Sequence, residues 1–407
     1  MRVRILRGAT QVGGSCVEVE QSGTRIVIDV GLPLERPGAY RDLLPDVPGL
    51  WATADGSLHA VLLSHTHPDH CGLADLVAPD VPVYCGAAAE RIWNSASFYV
   101  PRMTPFAASG HFRHAVPLTL GHLRVTPWLV DHSGYDAYSL LIEGGGRRLL
   151  YSGDIRATGR KPRTLEAVAT ACRGVDALLL EGTRIRNDAI ENTEGDVETD
   201  VARALRATCG MGLAFYSAMN IDRLVSLYRA ARRADRTFVM DLYTAAVAHA
   251  TGNPRVPQAD WDGVRVYLPN NQKRRVIASG DFTAVNAVRP SRVFIDELAE
   301  RPEAFVMTTR TSMLPELRTA LGGAIAIWSM WDGYLDRDPR LTSTLRSYGV
   351  PVLHAHTSGH ASRSTLQRFA AQIAPRRVIP IHTDSPSVFA SAIDNVEPHG
   401  DGDWTCV

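Results

Sequence analysis

The stretch that most constrains this chain is the loop "SHTHPDH" at residues 64–70, which follows directly on the apolar run "HAVLL". That run has the length and composition of a buried strand, and a strand end fixes the base of the loop that follows it. Imidazole nitrogens and a carboxylate oxygen suit zinc, and an open coordination position permits catalysis. The loop therefore predicts a metal site with His65, His67, Asp69 and His70 as ligands, rather than a solvated turn.

Three further polar residues follow strand-like runs in the first half of the chain. Asp29 closes "RIVIDVG", His132 stands in "VDHSGYDAYSL", and Asp154 stands in "YSGDI". Taken singly, each aspartate reads equally well as a turn former and the histidine as a polar residue at a strand end. In this order, and after "SHTHPDH", the motifs resemble those of the metallo-β-lactamase fold, an α/β fold built as an αββα sandwich. The resemblance implies that Asp29 braces the ligand loop from behind.

A second histidine-dense stretch lies near the end of the chain, although histidine makes up only 14 of 407 residues. Its motif "HTSGH" stands between two strand-like runs, "LLLEGT" and "IPIHTD", which also end on candidate site residues. The three motifs resemble motifs A, B and C of the β-CASP nucleases, including the ribonuclease J-like and mRNA 3′-end endonuclease-like members. The residues concerned are Glu181, His356, Ser358, Gly359, His360 and His382.

The resemblance also implies a second domain inserted between motifs A and B. The first 180 residues are rich in short strand-like runs, whereas strands and helices alternate from about residue 195, as in a parallel, doubly wound sheet. We therefore expect a metallo-β-lactamase domain in two parts, 1–195 and 346–407, with a doubly wound β-CASP domain at 196–345 between them.

The resemblance gives each motif a role. By it, seven side chains bind two zinc ions, one held by His65, His67 and His132, the other by Asp69, His70 and His382, and both by the bridging Asp154. Asp69, Glu181 and His360 are the catalytic residues, with His360 as general acid. His356, Ser358 and Gly359 grip a neighbouring phosphate at the start of the helix "SRSTLQRFAAQIA", where free amides favour an anion. Manganese is an alternative to zinc, because both accept nitrogen and oxygen ligands.

The implied function is a dinuclear-zinc ribonuclease that hydrolyses RNA phosphodiester bonds with a metal-activated hydroxide, from an end or internally. Histidine at position 382 favours RNA, because DNA-acting relatives commonly have valine there. One alternative is a metallo-hydrolase of a small ester, lactone or phosphodiester with the same metal centre. Equal numbers of acidic and basic residues, 43 each, weigh toward that alternative. Another is a catalytically silent RNA-binding subunit, which the complete set of metal donors opposes.

Other features concern location and partners. The start "MRVRILRGATQVGG" lacks a signal-peptide pattern, no run approaches the ~18 apolar residues of a membrane span, and the six cysteines form no CxxC pair. We therefore expect a cytoplasmic protein with reduced thiols and no membrane partner. We expect it to lack the C-terminal domain that supports dimers in relatives, and a homodimer stays open.

Two weaker hypotheses concern the inserted domain. Arg223, at a strand-to-helix junction, could reach a phosphate or form a structural ion pair. The aromatic residues of "WSMWDGYL", which are Trp328, Trp331 and Tyr334, could stack on bases or belong to the core.

Overall fold

The computed structural model describes residues 1–34, 43–51, 53–187 and 191–407. The strands in these ranges are β1 (Arg2–Arg7), β2 (Cys16–Gln21), β3 (Thr24–Ile28), β4 (Ala60–Leu62), β5 (Val83–Gly86), β6 (Gly110–Phe112), β7 (Leu118–Leu120), β8 (Leu123–Leu129), β9 (Tyr138–Gly144), β10 (Arg147–Tyr151), β11 (Ala177–Glu181), β12 (Gly212–Phe215), β13 (Thr237–Asp241), β14 (Val264–Tyr267), β15 (Phe305–Thr308), β16 (Ile325–Trp328), β17 (Val352–His354), β18 (Arg377–Ile381) and β19 (Trp404–Cys406). The α-helices are α1 (Pro68–Cys71), α2 (Ala87–Ser97), α3 (Arg163–Ala171), α4 (Glu194–Ala207), α5 (Ile221–Arg233), α6 (Leu242–Ala250), α7 (Asn270–Ser279), α8 (Thr283–Ala287), α9 (Ile295–Glu300), α10 (Leu314–Leu317), α11 (Asp332–Asp336), α12 (Pro339–Ser347), α13 (Arg363–Ile373) and α14 (Pro386–Ala392).

The chain divides into two compact units. The first comprises residues 1–97, 101–190 and 359–407, and the second comprises residues 98–100 and 191–358. The second unit is wider at both ends than the predicted insertion of 196–345. Its first helix, α4, begins directly after the N-cap residue Thr193, which forms a capping box with Asp196 in the first turn, and β17 pairs with β16 in the same sheet. Cap geometry and strand pairing extend the unit where the apolar pattern alone does not.

The first unit is built on two facing sheets. Among the described residues their strand orders are β19-β1-β2-β3-β4-β5-β6 and β18-β11-β10-β9-β8-β7. Ile28 and Leu62 of the first sheet share one buried cluster with Leu140 and Leu149 of the second. The alternate residues of the second sheet, such as Leu150, face a cluster that includes α3 and α13. Because side chains alternate along a strand, the second sheet buries both faces. With α2 against β5, these layers confirm the predicted αββα sandwich.

Strand pairing in the second sheet brings distant motifs together. β11 pairs in parallel with β18, so that Glu181 lies opposite Ile381, and β10 pairs in parallel with β11. Parallel strands end at the same edge of a sheet. Asp154, Glu181 and His382 therefore emerge at one edge of the second sheet, each at or shortly after its strand.

The second unit has a six-stranded parallel sheet in the order β14-β13-β15-β12-β16-β17. Its strands are almost wholly buried, as expected when helices cover both faces of a parallel sheet. The doubly wound character expected from the alternation of strands and helices is confirmed. Trp328 is in the core of this unit, whereas Trp331 and Tyr334 are each more than half exposed.

Two further observations concern the chain as a whole. Within the ranges that the structure describes, no helix combines the length and the apolarity needed to cross a membrane. All six cysteines are described, and each is a free thiol.

Candidate metal centre

Three histidine rings of the first unit meet at one point. His67 Nδ1 lies 3.2 Å from His65 Nε2 and 3.1 Å from His132 Nε2. The first two residues belong to the loop after β4, and the third follows β8. The structure therefore brings together the three side chains expected to share one metal ion.

Hydrogen bonds on the far side of two of these rings fix where their protons are. The Nδ1–H of His132 donates to the carbonyl oxygen of Gly359 at 2.6 Å. Ser64 donates its hydroxyl proton to Asp29, so the Nδ1–H of His65, at 3.1 Å, donates to the Ser64 oxygen. The Nε2 atoms of both histidines are therefore unprotonated and directed inward. This is the tautomer that a metal ligand needs.

A second group of donors lies beside the first. The Nε2 atom of His382 is 3.2 Å from Asp69 Oδ2, and the His70 and His382 rings have centroids 4.9 Å apart. His382 has a left-handed backbone, with φ of 54°, directly after β18. Its Nδ1 atom hydrogen-bonds the hydroxyl of Thr183 at 2.8 Å, which turns Nε2 toward Asp69. The three residues expected to hold the second ion thus also converge.

Asp154 stands between the two groups. Its Oδ2 atom is 3.2 Å from His70 Nε2, 3.7 Å from His65 Nε2 and 3.9 Å from His132 Nε2. Its Oδ1 atom is 3.9 Å from a ring nitrogen of His382. Asp154 therefore lies within 4 Å of nitrogen atoms from both donor groups, with Oδ2 near rings of each group and Oδ1 near Nδ1 of His382.

Asp29 supports the ligand loop from behind and is fully buried. It accepts hydrogen bonds from the Nδ1–H of His70, the Tyr151 hydroxyl, and both the amide and the hydroxyl of Ser64, each at 2.7 Å. The bond to His70 Nδ1 directs the Nε2 atom of that ring toward Asp154 and the other donors, as is common for a histidine that binds a metal.

The electrostatics of most of the donors match their geometry. His70 is the exception, because burial acts against its charged form but the charges of Asp154 and Asp29 outweigh it and raise its pKa well above the usual value. Burial, together with the neighbouring imidazoles, lowers the pKa of His65 and His132 well below the usual range, and burial lowers that of His67 to about 4. Burial acts against the charged form of Asp154, but neighbouring imidazoles outweigh it and hold its pKa well below the usual value. Neutral rings and an ionised carboxylate are the protonation states that bind divalent cations.

The donor set fits zinc. Tetrahedral ligation with Zn–N bonds of about 2.0–2.1 Å places ligand nitrogens roughly 3.3–3.4 Å apart, close to the spacing of the three rings. Among the described residues, Asp154 Oδ1 is buried without a hydrogen-bond partner, which is costly unless another group binds it. Gly134 lies over the rings, and a Cβ atom there would be 3.1–3.4 Å from His65, His132 and His67. These three observations favour a metal at this position.

Glu181 and His360 adjoin the metal-ligand cluster. His360 Nδ1 is 3.3 Å from Glu181 Oε1 and 3.7 Å from Asp154 Oδ2. The carboxylate of Glu181 is also held by the amide groups of Ile155 and Thr183. Burial acts against protonation of His360, but the charges of Glu181 and Asp154 outweigh it and raise its pKa to about 9.

The remaining motif B residues divide between the two units. Gly359 belongs to the first unit, and a Cβ atom there would overlap Ser133 Oγ and approach Ser133 Cβ to 3.1 Å. A larger residue at position 359 would therefore collide with Ser133. The carbonyl oxygen of Gly359 accepts the hydrogen bond from His132. His356 and Ser358 belong to the second unit, where Arg223 contacts His356. Arg223 forms a buried ion pair with Glu194. Of the two roles considered for Arg223, a phosphate contact or a structural ion pair, the structure shows the ion pair.

Sequence reasoning missed three supporting residues, Ser64, Tyr151 and Thr183. Each is next to a recognised motif, in "SHTHPDH", "YSGDI" or "EGT". Their positions in the motifs were a usable signal. Their partners were not predictable, because each partner lies on another strand or loop.

Comparisons with known proteins agree with this architecture. Residues 24–219 match the β-lactamase superfamily domain, and residues 352–396 match the Zn-dependent metallo-hydrolase RNA specificity domain. Ribonuclease J of Mycobacterium tuberculosis H37Rv is 24% identical over 408 residues, covering 94% of this chain and 68% of that protein. Transcription termination factor FttA of a Lokiarchaeum is 23% identical, covering 92% and 65%. A crystal structure of a protein of unknown function from Enterococcus faecalis V583 shares the fold, with a TM-score of 0.82, 20% identity and 99% coverage of both chains.

The fold, the histidine-rich loop and the two domain matches define a class. The chain carries a β-lactamase superfamily domain and a Zn-dependent metallo-hydrolase RNA specificity domain, which are domains of metal-dependent hydrolases. The RNA specificity domain and the similarity to ribonuclease J along nearly the whole chain are consistent with a ribonuclease J-like protein of the β-CASP branch.

Proposed function

We propose that this protein is a ribonuclease that hydrolyses RNA phosphodiester bonds with two zinc ions. The convergence of the two donor groups, with Asp154 between them, is the observation that carries the proposal. His65, His67 and His132 would hold one ion, and Asp69, His70 and His382 would hold the other. Two such ions, when bound, neutralise the charge of a phosphodiester and supply a hydroxide nucleophile at neutral pH.

The chain's own residues handle the leaving group. His360, protonated at neutral pH because its pKa is raised to about 9, donates its proton to the leaving ribose oxygen. Glu181 accepts a hydrogen bond from the charged ring and stabilises it. Divalent cations beside Asp154 would bring the pKa of His360 closer to neutrality, where an acid is most effective.

The choice of RNA rests on the second half of the chain. The match to the RNA specificity domain at residues 352–396 takes in His356, Ser358, Gly359, His360 and His382. Ribonuclease J proteins, which this chain resembles over 94% of its length, act on RNA according to their name. We assign three groups as hydrogen-bond donors to a phosphate of the substrate: the hydroxyl of Ser358, the ring of His356 and the amide of Gly359. Hydroxyl and backbone amide groups commonly donate to phosphate oxygens.

Cleavage of end-labelled RNA tests the proposal. Zinc-loaded protein is incubated with RNAs bearing a 5′-monophosphate, a triphosphate or a hydroxyl, and in parallel with a small phosphodiester. The ladder of products reports both the polarity of cleavage and the end preference. Cleavage of the small compound alone would replace the ribonuclease by a small-molecule hydrolase.

A variant isolates the role of the general acid. His360→Ala should lose about 100-fold or more of the RNA cleavage rate while zinc content stays unchanged. His249→Ala is the matched control, because His249 is an exposed histidine on α6. Undiminished cleavage by His360→Ala would reject the assigned role.

A further inference from the structure

Basic residues of the first unit are concentrated in the segments that follow its site motifs. Residues 155–170, 182–187 and 361–373 contain eight arginine and lysine residues and a single acidic residue, whereas the whole chain has 43 of each kind. Arg156 is buried in an ion pair with Asp131, and the other seven basic residues are at least partly exposed. A chain with no net charge therefore has a local positive field at this part of the first unit.

Two neighbouring helices carry part of this charge. The helix α3 leads into β11 and α13 leads into β18, and these two strands are parallel neighbours, so both helices begin at the sheet edge that carries Asp154 and His382. At their other ends the amide of Gly174 donates to the carbonyl of Ile373 at 2.7 Å. The two helices therefore lie side by side, and their N-terminal halves are on the side of the candidate metal centre.

A cavity of about 210 Å³, the α3–α13 cavity, lies between these helices. One exposed arginine of each helix lines it, Arg163 of α3 and Arg368 of α13. Within the described part of the chain, neither guanidinium forms a hydrogen bond or an ion pair. Pro162 is the N-cap residue of α3 and also lines the cavity, but it has no side-chain bond to the first amides, so the helix dipole adds to the positive charge.

The rest of the lining shows what kind of anion fits. Leu165 and Phe369 are buried and apolar, and the exposed Gln372 offers an amide. Glu166 is the only acidic residue among the described residues that line the cavity, and it forms no ion pair with Arg163 or Arg368. Guanidinium groups match the oxygens of a phosphate, and apolar surface beside them suits a sugar or a base. A nucleotide unit fits this lining better than a small inorganic anion does.

We propose that the α3–α13 cavity binds a phosphate of the RNA backbone outside the metal centre, with Arg163 and Arg368 as its cationic contacts. The choice of RNA as the polyanion rests on the proposed function. Arg368 is five residues beyond Arg363, the first residue of α13, which is roughly 7.5 Å along the helix axis. The phosphate in the cavity is therefore not the one that is cleaved, and a substrate has to extend past the cleaved bond to reach it.

Substrate length should reveal this contact. In the double variant Arg163→Gln, Arg368→Gln, the KM for a long single-stranded RNA should rise about 10-fold, because two phosphate contacts are weakened. The KM for a dinucleotide, which is too short to reach the cavity, should stay unchanged. The kcat should stay the same for both substrates, since neither arginine belongs to the metal centre or to the general acid.

Equilibrium binding tests the proposal without requiring cleavage. The zinc-loaded protein is titrated with a labelled single-stranded RNA whose phosphorothioate linkages resist hydrolysis, at several salt concentrations. In the double variant the Kd should rise about 10-fold near 0.1 M salt, and the slope of log Kd against log salt should fall by about 1.4, since each contact with a single strand contributes about 0.7. Glu166→Gln removes the opposing charge and should bind the same RNA about 2–3-fold more tightly.

The matched control is the double variant Arg173→Gln, Arg376→Gln. Both arginines are exposed and follow the same two helices at their C-terminal ends, so this variant loses the same charge outside the cavity. An absence of RNA binding by the wild type, or equal Kd values and salt slopes in the two double variants, would overturn the proposal. If the wild type binds RNA through Arg163 and Arg368 but cleaves none, the cavity assignment stands and the ribonuclease proposal fails. If it cleaves RNA while the two double variants bind alike, the reverse holds.

Discussion

Asp29 and His70 are joined by a 2.7 Å hydrogen bond between a carboxylate oxygen and Nδ1, and both side chains are fully buried. Asp29 also has a left-handed backbone, with φ of 58°. Asparagine tolerates this conformation, so Asp29→Asn removes the charge and leaves the backbone unstrained. Asp29→Asn therefore tests whether Asp29 affects the metal affinity of the site through its hydrogen bond to His70.

We expect Asp29→Asn to bind zinc 10–100-fold more weakly than the wild type, because the Nδ1–H of His70 loses its charged acceptor and an amide accepts more weakly. Titration against a competing chelator measures the change. Asp235→Asn provides the control, since Asp235 is an exposed aspartate that also has positive φ. Equal zinc affinities for the two variants would argue against a bracing role for Asp29.

Thr183 offers a separate test of the donors expected to hold the second ion. Thr183→Val removes the hydroxyl bonded to His382 Nδ1 with little change in shape. Since that bond orients only one of the donor groups, we expect one of the two zinc ions to bind about 10-fold more weakly and the other to bind normally. Two-site zinc titration separates the two affinities, with Thr170→Val, on the exposed face of α3, as the control. Equal weakening of both sites would contradict the assignment.

Gly359 should not tolerate a side chain. In Gly359→Ala the new Cβ would displace either Ser133 or the carbonyl that accepts from His132, and cleavage should fall at least 10-fold. Adding Ser133→Gly removes the obstructing side chain and should restore part of the activity. Gly322→Ala serves as the control, because its Cβ would meet nothing within 4 Å. An active Gly359→Ala enzyme would mean that the loop moves freely.

The depressed pKa of His356 predicts how stability depends on pH. Above pH 6.5 the ring is neutral in both the folded and the unfolded chain. Between pH 6.5 and about 4 the unfolded chain binds a proton that the folded chain excludes, so stability falls as the pH falls. The loss should be up to about 3 kcal/mol, since one unit of pKa is worth about 1.4 kcal/mol.

Chemical unfolding of the metal-free protein at pH 7.5, 6 and 4.5 measures this effect as the difference between the wild type and His356→Gln. As the pH falls, the free energy of unfolding of the wild type should decrease relative to that of His356→Gln. A difference that stays constant over this range would mean that His356 is not held neutral.

Much of the fold was predictable from local pattern. Runs such as "RIVIDVG" and "LLLEGT" became strands because β-branched and apolar residues are bounded by turn residues, and the site motifs follow the strands that carry them. Metal-binding motifs are short and contiguous, so His65, His67 and His70 could be identified without knowing the tertiary structure.

The rest depended on contacts between distant segments. Gly359 was expected to make room for a phosphate, yet its neighbours are Ser133 and His132, more than 200 residues away. Arg223 could have faced a ligand or a carboxylate, and only the packing of α4 against α5 supplied Glu194. Trp328 and Trp331 are three residues apart with opposite exposure, because the first ends a buried strand and the second precedes α11.

The pairing of β11 with β18 has a consequence for biosynthesis. Thr183 and His382, each just beyond one of these strands, are 199 residues apart in the chain. On a translating ribosome, the edge of β11 stays without its neighbour while the whole second unit is being made, and uncovered strand edges invite aggregation. The nascent chain also lacks its final histidine donor until β18 has left the exit tunnel, so the proposed metal site is complete only after His382 has been made.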